Sequence, residues 1–138
     1  DGVFLATYRA DGVILATATG STGYAMAVGG PVLEPQSRHL VLVPVSPHVT
    51  MSTPLVLGGE SCVELVLVDG GAAIATLDGH SDYSLRPGDV VKGKMSDRVA
   101  KFLRARKPPY FYETLAQRLG LDRLPGSVVP NISNSPTD

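Results

Sequence analysis

A short loop rich in hydroxyl and glycine residues is the stretch of this sequence best suited to chemistry. It runs from Thr17 to Tyr24 as Thr-Ala-Thr-Gly-Ser-Thr-Gly-Tyr, directly after an apolar run from Val13 to Ala16. The pattern predicts a strand that leads through this loop into a short helix over 21–28. At a helix start, hydroxyl groups accept bonds from unpaired N–H groups, and that end attracts anions. The loop is therefore either an anion-binding turn or a well-capped connection.

Two Asp-Gly pairs supply carboxylates that could act with this loop. Asp11 precedes the apolar strand, and we expect it to face the same loop as Thr19. A carboxylate accepts two hydroxyl bonds and binds strongly when charge assists. The simpler role of Asp11, and of the pair Asp78-Gly79, is to form a turn.

The remaining polar residues predict neither catalysis nor metal binding. His39, His48 and His80 are too scattered for a metal site. No order of Ser, His and Asp suggests a nucleophilic triad. Arg104 and its neighbours Arg106 and Lys107 lie at the end of the last predicted strand, where they either face a phosphate or are simply solvated.

The elements that must position these residues are mostly short strands, which recur about every ten residues with turn residues between them. The predicted strands cover 2–7, 13–16, 40–45, 54–57, 62–68, 72–77, 83–85, 90–95 and 99–104. The first two are expected to form one hairpin, and the strands over 62–68 and 72–77 another. The run over 40–45 is apolar throughout and predicts burial on both faces, with Pro44 indicating an edge strand or a strand end. A second helix is expected from Tyr112 to Leu119, ended by Gly120.

This spacing predicts a mainly β fold, a sandwich or barrel with one or two short helices. The predicted domain covers residues 1–120, and residues 121–138 are expected to form a mobile tail. The chain begins at Asp1 without a Met, as expected for a domain cut from a longer protein.

Composition narrows the possible partners and locations. The 138 residues carry a net charge of −1 with no long basic run, which argues against nucleic acid as the main partner. No apolar run approaches the length of a membrane span. The single Cys62 excludes an internal disulfide and fits a cytoplasmic location.

The literal string of residues resembles the C-terminal domain of NAD kinases. The resemblance rests on Tyr8 to Gly12, on Thr17 to Tyr24, on Gly29-Gly30-Pro31, on Pro44 with Pro47-His48, and on Pro54 to Leu57. It extends from about Asp1 to Leu119 and implies an NAD-kinase C-terminal-like β-sandwich. The family usually has Pro where Ala18 stands and Ala where Gly23 stands, so this loop is expected to be looser.

The resemblance also implies which residues hold NAD. Asp11 would contact the ribose or nicotinamide, and Ser46 would offer a backbone contact to nicotinamide from a neighbouring subunit. The loop and the residues near it would hold the adenosine and phosphate. The full predicted set is Asp11, Thr19, Thr22, Gly23, Tyr24, Ala27, Ser46, Asp78 and Gly79.

The implied activity is transfer of a phosphate from ATP or polyphosphate to the adenosine 2′-hydroxyl of NAD, giving NADP. It would need Mg²⁺ or another divalent cation in the full-length enzyme, and none bound by this domain alone. The family's catalytic Gly-Gly-Asp-Gly motif belongs to an N-terminal domain and is absent here. By itself the chain is expected to bind nucleotide poorly and to catalyse nothing. A homodimer or homotetramer is expected.

Two other functions remain open at this point. One is a domain of a related lipid kinase that acts on diacylglycerol or sphingosine. The other is a non-catalytic nucleotide-binding or assembly module, such as the accessory protein of an acetoin-degradation operon that resembles NAD kinases. The departures at Ala18 and Gly23 keep this second alternative open.

Overall fold

The computed structural model describes residues 2–48, 51–69, 71–103 and 110–120. The chain divides into two units, Asp1–Val99 and Ala100–Asp138. The predicted tail over 121–138 lies outside the described residues, as do Arg104, Arg106 and Lys107. The predicted domain boundary at residue 120 stays a prediction.

Strands dominate the described part of the chain, which confirms the mainly β fold. In chain order the elements are β1 (Gly12–Ala16), α1 (Ala18–Ser21), α2 (Tyr24–Ala27), β2 (Leu40–Val45), β3 (Leu55–Leu57), β4 (Cys62–Val66), β5 (Ala73–Leu77), β6 (Ser81–Leu85), β7 (Val90–Lys94) and α3 (Tyr110–Arg118). No described helix is long and apolar enough to cross a membrane.

The core lies on β2, the middle strand of an antiparallel sheet ordered β1-β2-β3. Residues Leu40 to Pro44 are all buried, as their continuous apolar run predicts. Pro44 pairs with Val13 on β1, whereas β3 pairs only with Leu40 to Leu42. Pro44 therefore lies beyond the end of β3. Because it has no neighbour on that side, its missing N–H interrupts no hydrogen bonds between β2 and β3. Of the two positions predicted for Pro44, the edge strand is wrong because β2 is central, and Pro44 lies next to the last residue of the strand.

The second half of the first unit is a nested arrangement of two antiparallel pairs. β4 pairs with β7, and β5 pairs with β6. The predicted hairpin between 62–68 and 72–77 is therefore wrong. Asp78 and Gly79 take consecutive positive φ values of 51° and 70°, which close β5 tightly onto β6. The turn at Arg86–Asp89 then returns β7 to β4, and the Gly88 N–H donates to the Leu67 carbonyl.

Two other predicted strands are also wrong. Residues 2–7 form no strand, and neither do residues 99–103. The Val3 and Phe4 side chains are 82% and 80% exposed, and Leu103 is fully exposed. These segments have the composition of strands, but they bury too little apolar surface to offset the entropy lost on pairing. β1 therefore pairs with β2 and not with the similar sequence before it.

The second unit contains α3, close to the helix predicted over 112–119. The Leu119 N–H donates to the Leu115 carbonyl, and the Gly120 N–H donates to the Gln117 carbonyl. Gly120 has a φ of 66° and ends the helix as predicted.

Candidate functional site

The hydroxyl-rich loop folds into two single helical turns and not into one helix over 21–28. α1 begins at Ala18, earlier than predicted, and the backbone of Gly23, with ψ of −133°, separates it from α2. No side chain caps either turn, which contradicts the predicted capping by Ser and Thr. Helices of four residues have little macrodipole, so only backbone N–H groups and hydroxyls are available to attract an anion, and the predicted attraction stays a prediction.

Ser21 is the structural anchor of this loop. Its side chain is fully buried, and its hydroxyl donates to the Ala18 carbonyl at 2.7 Å. The same oxygen accepts the Leu33 N–H at 3.0 Å. One hydroxyl thus satisfies a carbonyl in α1 and a backbone donor twelve residues later. It ties the loop to the segment that follows Gly29-Gly30-Pro31.

Close packing at Gly30 holds α2 against β2. The Gly30 N–H donates to the Ala25 carbonyl at 2.8 Å. A Cβ on Gly30 would approach that oxygen to 2.6 Å and the Val43 side chain to 2.9 Å. Ala25 itself is buried in the core cluster with Val43. Glycine at position 30 is therefore required by packing, whatever ligand the loop binds.

Most of the predicted site residues on this loop point toward solvent. Thr19, Gly23 and Ala27 are exposed, and the Tyr24 side chain is 65% exposed. Thr22 is half-buried, and its hydroxyl donates to the Thr19 carbonyl at 3.2 Å, which leaves its oxygen able to accept. The loop thus presents two hydroxyls and a phenol beside accessible backbone.

The other predicted contacts, Asp11 and Ser46, meet at the far end of β1. The Asp11 N–H donates to the Val45 carbonyl at 2.9 Å, so Asp11 faces the end of β2. Ser46 follows directly with a φ of 47°, a left-handed conformation that is rare for a residue other than glycine. The chain then turns back, and the His48 N–H donates to the Arg9 carbonyl at 2.6 Å. Its imidazole Nε2 lies 3.9 Å from Asp11 Oδ1.

Strand β1 separates these two sets of residues. Asp11 precedes the strand and Thr19 follows it. At about 3.3 Å per residue, the five residues of β1 place the two sets about 15 Å apart. The expectation that Asp11 and Thr19 face the same loop is therefore wrong. They occupy opposite ends of one strand.

Asp78 and Gly79 lie at the tip of the β5–β6 hairpin. The His80 N–H donates to the Leu77 carbonyl at 3.0 Å, which closes the turn. The structure thus places this pair in a turn, the simpler role considered for it. Among the described residues, no hydrogen bond joins the tip to either end of β1.

Tyr8 is partly buried, with its hydroxyl on the inner side. Its hydroxyl is inaccessible to solvent and has no hydrogen-bond partner among the described residues. Burial raises the pKa of Tyr8. Within the part of the chain that the structure describes, no three His, Cys, Asp or Glu side chains come together as metal ligands would.

Two of these contacts have no clear signal in the sequence. Ser21 is one of several loop hydroxyls, and its partner Leu33 lies twelve residues away. His48 is an isolated histidine in the sequence, and only its position after Pro47, in the segment that follows β2, points to it.

Comparison with known proteins places this geometry in a family. The model of the ATP-NAD kinase C-terminal domain matches residues 1–105. The NAD kinase of Chloroflexus aurantiacus is 44% identical over 115 residues, covering 83% of this chain and 42% of the relative. That of Dehalococcoides mccartyi strain CBDB1 is 42% identical over 113 residues, covering 82% and 40%. The chain therefore spans less than half the length of the relatives it matches.

Solved structures give the same result. An NAD kinase from Archaeoglobus fulgidus in complex with ATP superposes with a TM-score of 0.62 at 35% identity, covering 70% of this chain and 37% of that one. Yeast NADH kinase complexed with NADH superposes with a TM-score of 0.61 at 32% identity, covering 67% and 28%.

Proposed function

The chain belongs to the ATP-NAD kinase C-terminal domain family, and on that premise we propose that it holds the dinucleotide in an enzyme that phosphorylates NAD. The reaction would move a phosphate from ATP or polyphosphate to the adenosine 2′-hydroxyl, giving NADP. A cytoplasmic location and a β-sandwich arrangement of the sheets belong to the same proposal. The sandwich is supported by the close approach of Leu15 on β1 to Gly93 on β7.

The observation that carries this proposal is the exposed loop between β1 and α2. Thr19, Thr22 and Tyr24 present hydroxyl groups beside accessible backbone at Gly23, which suits the adenosine and phosphate of a dinucleotide. Ser21 and Gly30 hold the loop rigidly from beneath. A preformed loop loses less entropy when it binds a ligand.

The described residues do not supply the phosphoryl-transfer machinery. That chemistry needs a base, phosphate contacts and usually Mg²⁺. Among the described residues, no three His, Cys, Asp or Glu side chains come together. We therefore assign the divalent cation, the phosphate donor and the base to a second domain of the full-length enzyme.

The separation along β1 supports a site shared between copies of the chain. Asp11 and Ser46 lie at one end of the strand, about 15 Å from the loop at the other. We propose a homodimer or homotetramer in which this end of one copy contacts a nucleotide held by the loop of its neighbour. Asp78 and Gly79 stay candidate contacts at their hairpin tip.

The proposal is tested with a chimera. The matched 115 residues of the Chloroflexus aurantiacus NAD kinase are replaced by the matching part of this chain, and NADP formation from NAD and ATP is measured. We expect NADP to form, and an Asp11→Asn, Tyr24→Phe double variant to lose most of it. A folded chimera that binds NAD without making NADP would favour a non-catalytic module. One that phosphorylates diacylglycerol or sphingosine would favour a lipid kinase.

A further inference from the structure

Strand β1, which leads into the candidate binding loop, is packed from both sides. Ile14 and Ala16 pack against the core cluster that contains Ala25 of α2. Leu15, between them in sequence, points to the opposite face of the sheet, because side chains alternate along a strand. There it meets β7, where a Cβ on Gly93 would overlap the Cδ2 methyl group of Leu15. β1 therefore lies between α2 on one face and β7 on the other.

Glycine at position 93 is explained by this contact and not by its backbone. Gly93 is not one of the described glycines with a positive φ. A glycine inside a strand weakens the strand, and it often marks a place where another group approaches closely. The Cγ atom of Leu15 would lie an ordinary 3.7 Å from the added Cβ, so only the end of the leucine side chain occupies the space. The two residues are therefore complementary in size.

The residues after Leu15 connect β1 tightly to the loop. A Cβ on Gly20 of α1 would lie only 3.2 Å from the Cβ of Ala16, so α1 packs closely on the end of the strand. The Ser21 N–H donates to the Thr17 carbonyl at 2.8 Å, and the Ser21 side chain is fully buried. Close-packed interiors transmit a displacement because they have little free volume to absorb it. A shift of β1 at Leu15 therefore moves the loop.

We propose that Gly93 is a positioning residue for the candidate nucleotide loop. By leaving room for Leu15, it allows β7 to support β1 in the position from which Thr19, Thr22 and Tyr24 meet the dinucleotide. The inference rests on the proposed function, because it takes this loop as the site of the adenosine and phosphate. Gly93 acts through Leu15 from the face of the sheet opposite α2, so it need not touch the ligand.

Exchanging a carbon atom between the two positions tests the proposal. Gly93→Ala adds one methyl group, Leu15→Val removes one methylene group, and the double variant keeps the total volume. NAD is titrated by NMR into the 138-residue chain carrying either change or both, at concentrations that detect millimolar binding. We expect Gly93→Ala to weaken NAD binding at least about twofold, and the added Leu15→Val to restore it.

A second measurement needs no nucleotide. The amide resonances of residues 17–24 should shift in Gly93→Ala and return in the double variant. Val91→Ala is the control for a merely structural effect, because it removes apolar volume from the same strand and pushes on nothing. It should lower the urea midpoint while the loop resonances and NAD binding stay as they are in the unmodified chain.

Loop resonances that stay in place in Gly93→Ala, or a double variant that binds NAD no better than Gly93→Ala, would overturn the inference and leave the proposed function standing. If Gly93→Ala does not fold, the double variant decides, since it must then fold and bind NAD like the unmodified chain. Failure of both the unmodified chain and the chimera to bind NAD would overturn the proposed function, and the inference with it.

Discussion

The backbone N–H of Leu33 donates a hydrogen bond of 3.0 Å to the hydroxyl of Ser21, across twelve residues of chain. The same hydroxyl donates to the Ala18 carbonyl at 2.7 Å. One buried side chain therefore joins the candidate binding loop to the segment that leads toward β2. The loop is held by a polar tie from inside the protein, while its other hydroxyls face outward.

Replacing this hydroxyl should destabilise the protein. Ser21→Ala leaves the Leu33 N–H without its partner in a partly buried place, which costs about 1–3 kcal/mol. Urea unfolding measures the loss. Thr22→Ala is the control, because the Thr22 bond to the Thr19 carbonyl is exposed. Equal losses in the two variants would contradict the anchoring role of Ser21.

A methyl group at Gly30 should be costly for a different reason. In Gly30→Ala the added Cβ would meet the Ala25 carbonyl at 2.6 Å and Val43 at 2.9 Å, so the backbone must shift. We expect a loss of about 1–3 kcal/mol in the free energy of unfolding. Gly12→Ala is the matched control, since its nearest contact would be an ordinary 3.9 Å to Val45. A Gly30→Ala protein as stable as Gly12→Ala would contradict this packing.

A proline in place of Ala18 should stabilise the loop. Ala18 is the first residue of α1, where proline is favoured because no helical N–H bond is lost there. Thr17 before it is already extended, with φ of −80° and ψ of 177°, as a residue before proline must be. Ala18→Pro should therefore add about 0.4–1 kcal/mol to the free energy of unfolding. A loss in urea unfolding would show that the buried surroundings of Ala18 have no room for the ring.

The ion pair between Glu64 and Lys92 should make stability depend on pH. Their side chains lie 2.8 Å apart across the β4–β7 pair. The hydrogen bond from Lys92, and then its charge, lower the pKa of Glu64. A lowered pKa in the folded state gives stability that is present at neutral pH and is lost as pH falls through that pKa.

Glu64→Gln should therefore remove a small part of the acid sensitivity, seen as urea midpoints at neutral and at acidic pH that differ less than in the unmodified chain. The effect should shrink in high salt, because both side chains are largely exposed. An unchanged pH profile would mean that the pair is fully screened.

Mixing two defective variants should restore function if the site is shared between copies. In the chimera, Asp11→Asn damages one end of β1 and Tyr24→Phe with Thr22→Val damages the other. In a mixed dimer, one of the two shared sites then has both ends intact, so random mixing recovers about a quarter of the sites. The measurement is NADP formation before and after the variants are dissociated and reassembled together. No recovery in a confirmed mixed oligomer would place both ends in one copy's site.

The local sequence pattern correctly predicted those strands whose apolar side chains are buried. The run from Leu40 to Val45 needs cover on both faces, and it became the central strand. The segment at Val3 to Leu5 has the same residue types, but its side chains stay exposed and no strand forms. Hydrophobic composition alone does not show whether a partner surface is available, so such segments cannot be told apart from sequence.

Which strands pair, and where the candidate residues lie relative to one another, was harder to predict than the strands and helices themselves. Periodicity does not say which strand is the partner of β4, and the turn at Arg86–Asp89 decides in favour of β7. The candidate residues followed from the resemblance, but the position of Asp11 opposite Ser46 follows only from the register of β1 on β2. The contact between His48 and Asp11 depends on that register as well.

The position of β2 in its sheet also determines which backbone amides exchange by local opening and which exchange only by global unfolding. Among the described strands of this sheet, only β2 has a neighbour on both sides, while β1 is an edge. Amide hydrogens on an edge strand exchange through local opening, whereas those on a buried central strand exchange through global unfolding. Candidate nucleotide contacts lie at both ends of β1. We therefore expect a dinucleotide bound at either end to suppress the local opening of β1. The amide hydrogens of β1 would then exchange as slowly as those of β2, through global unfolding.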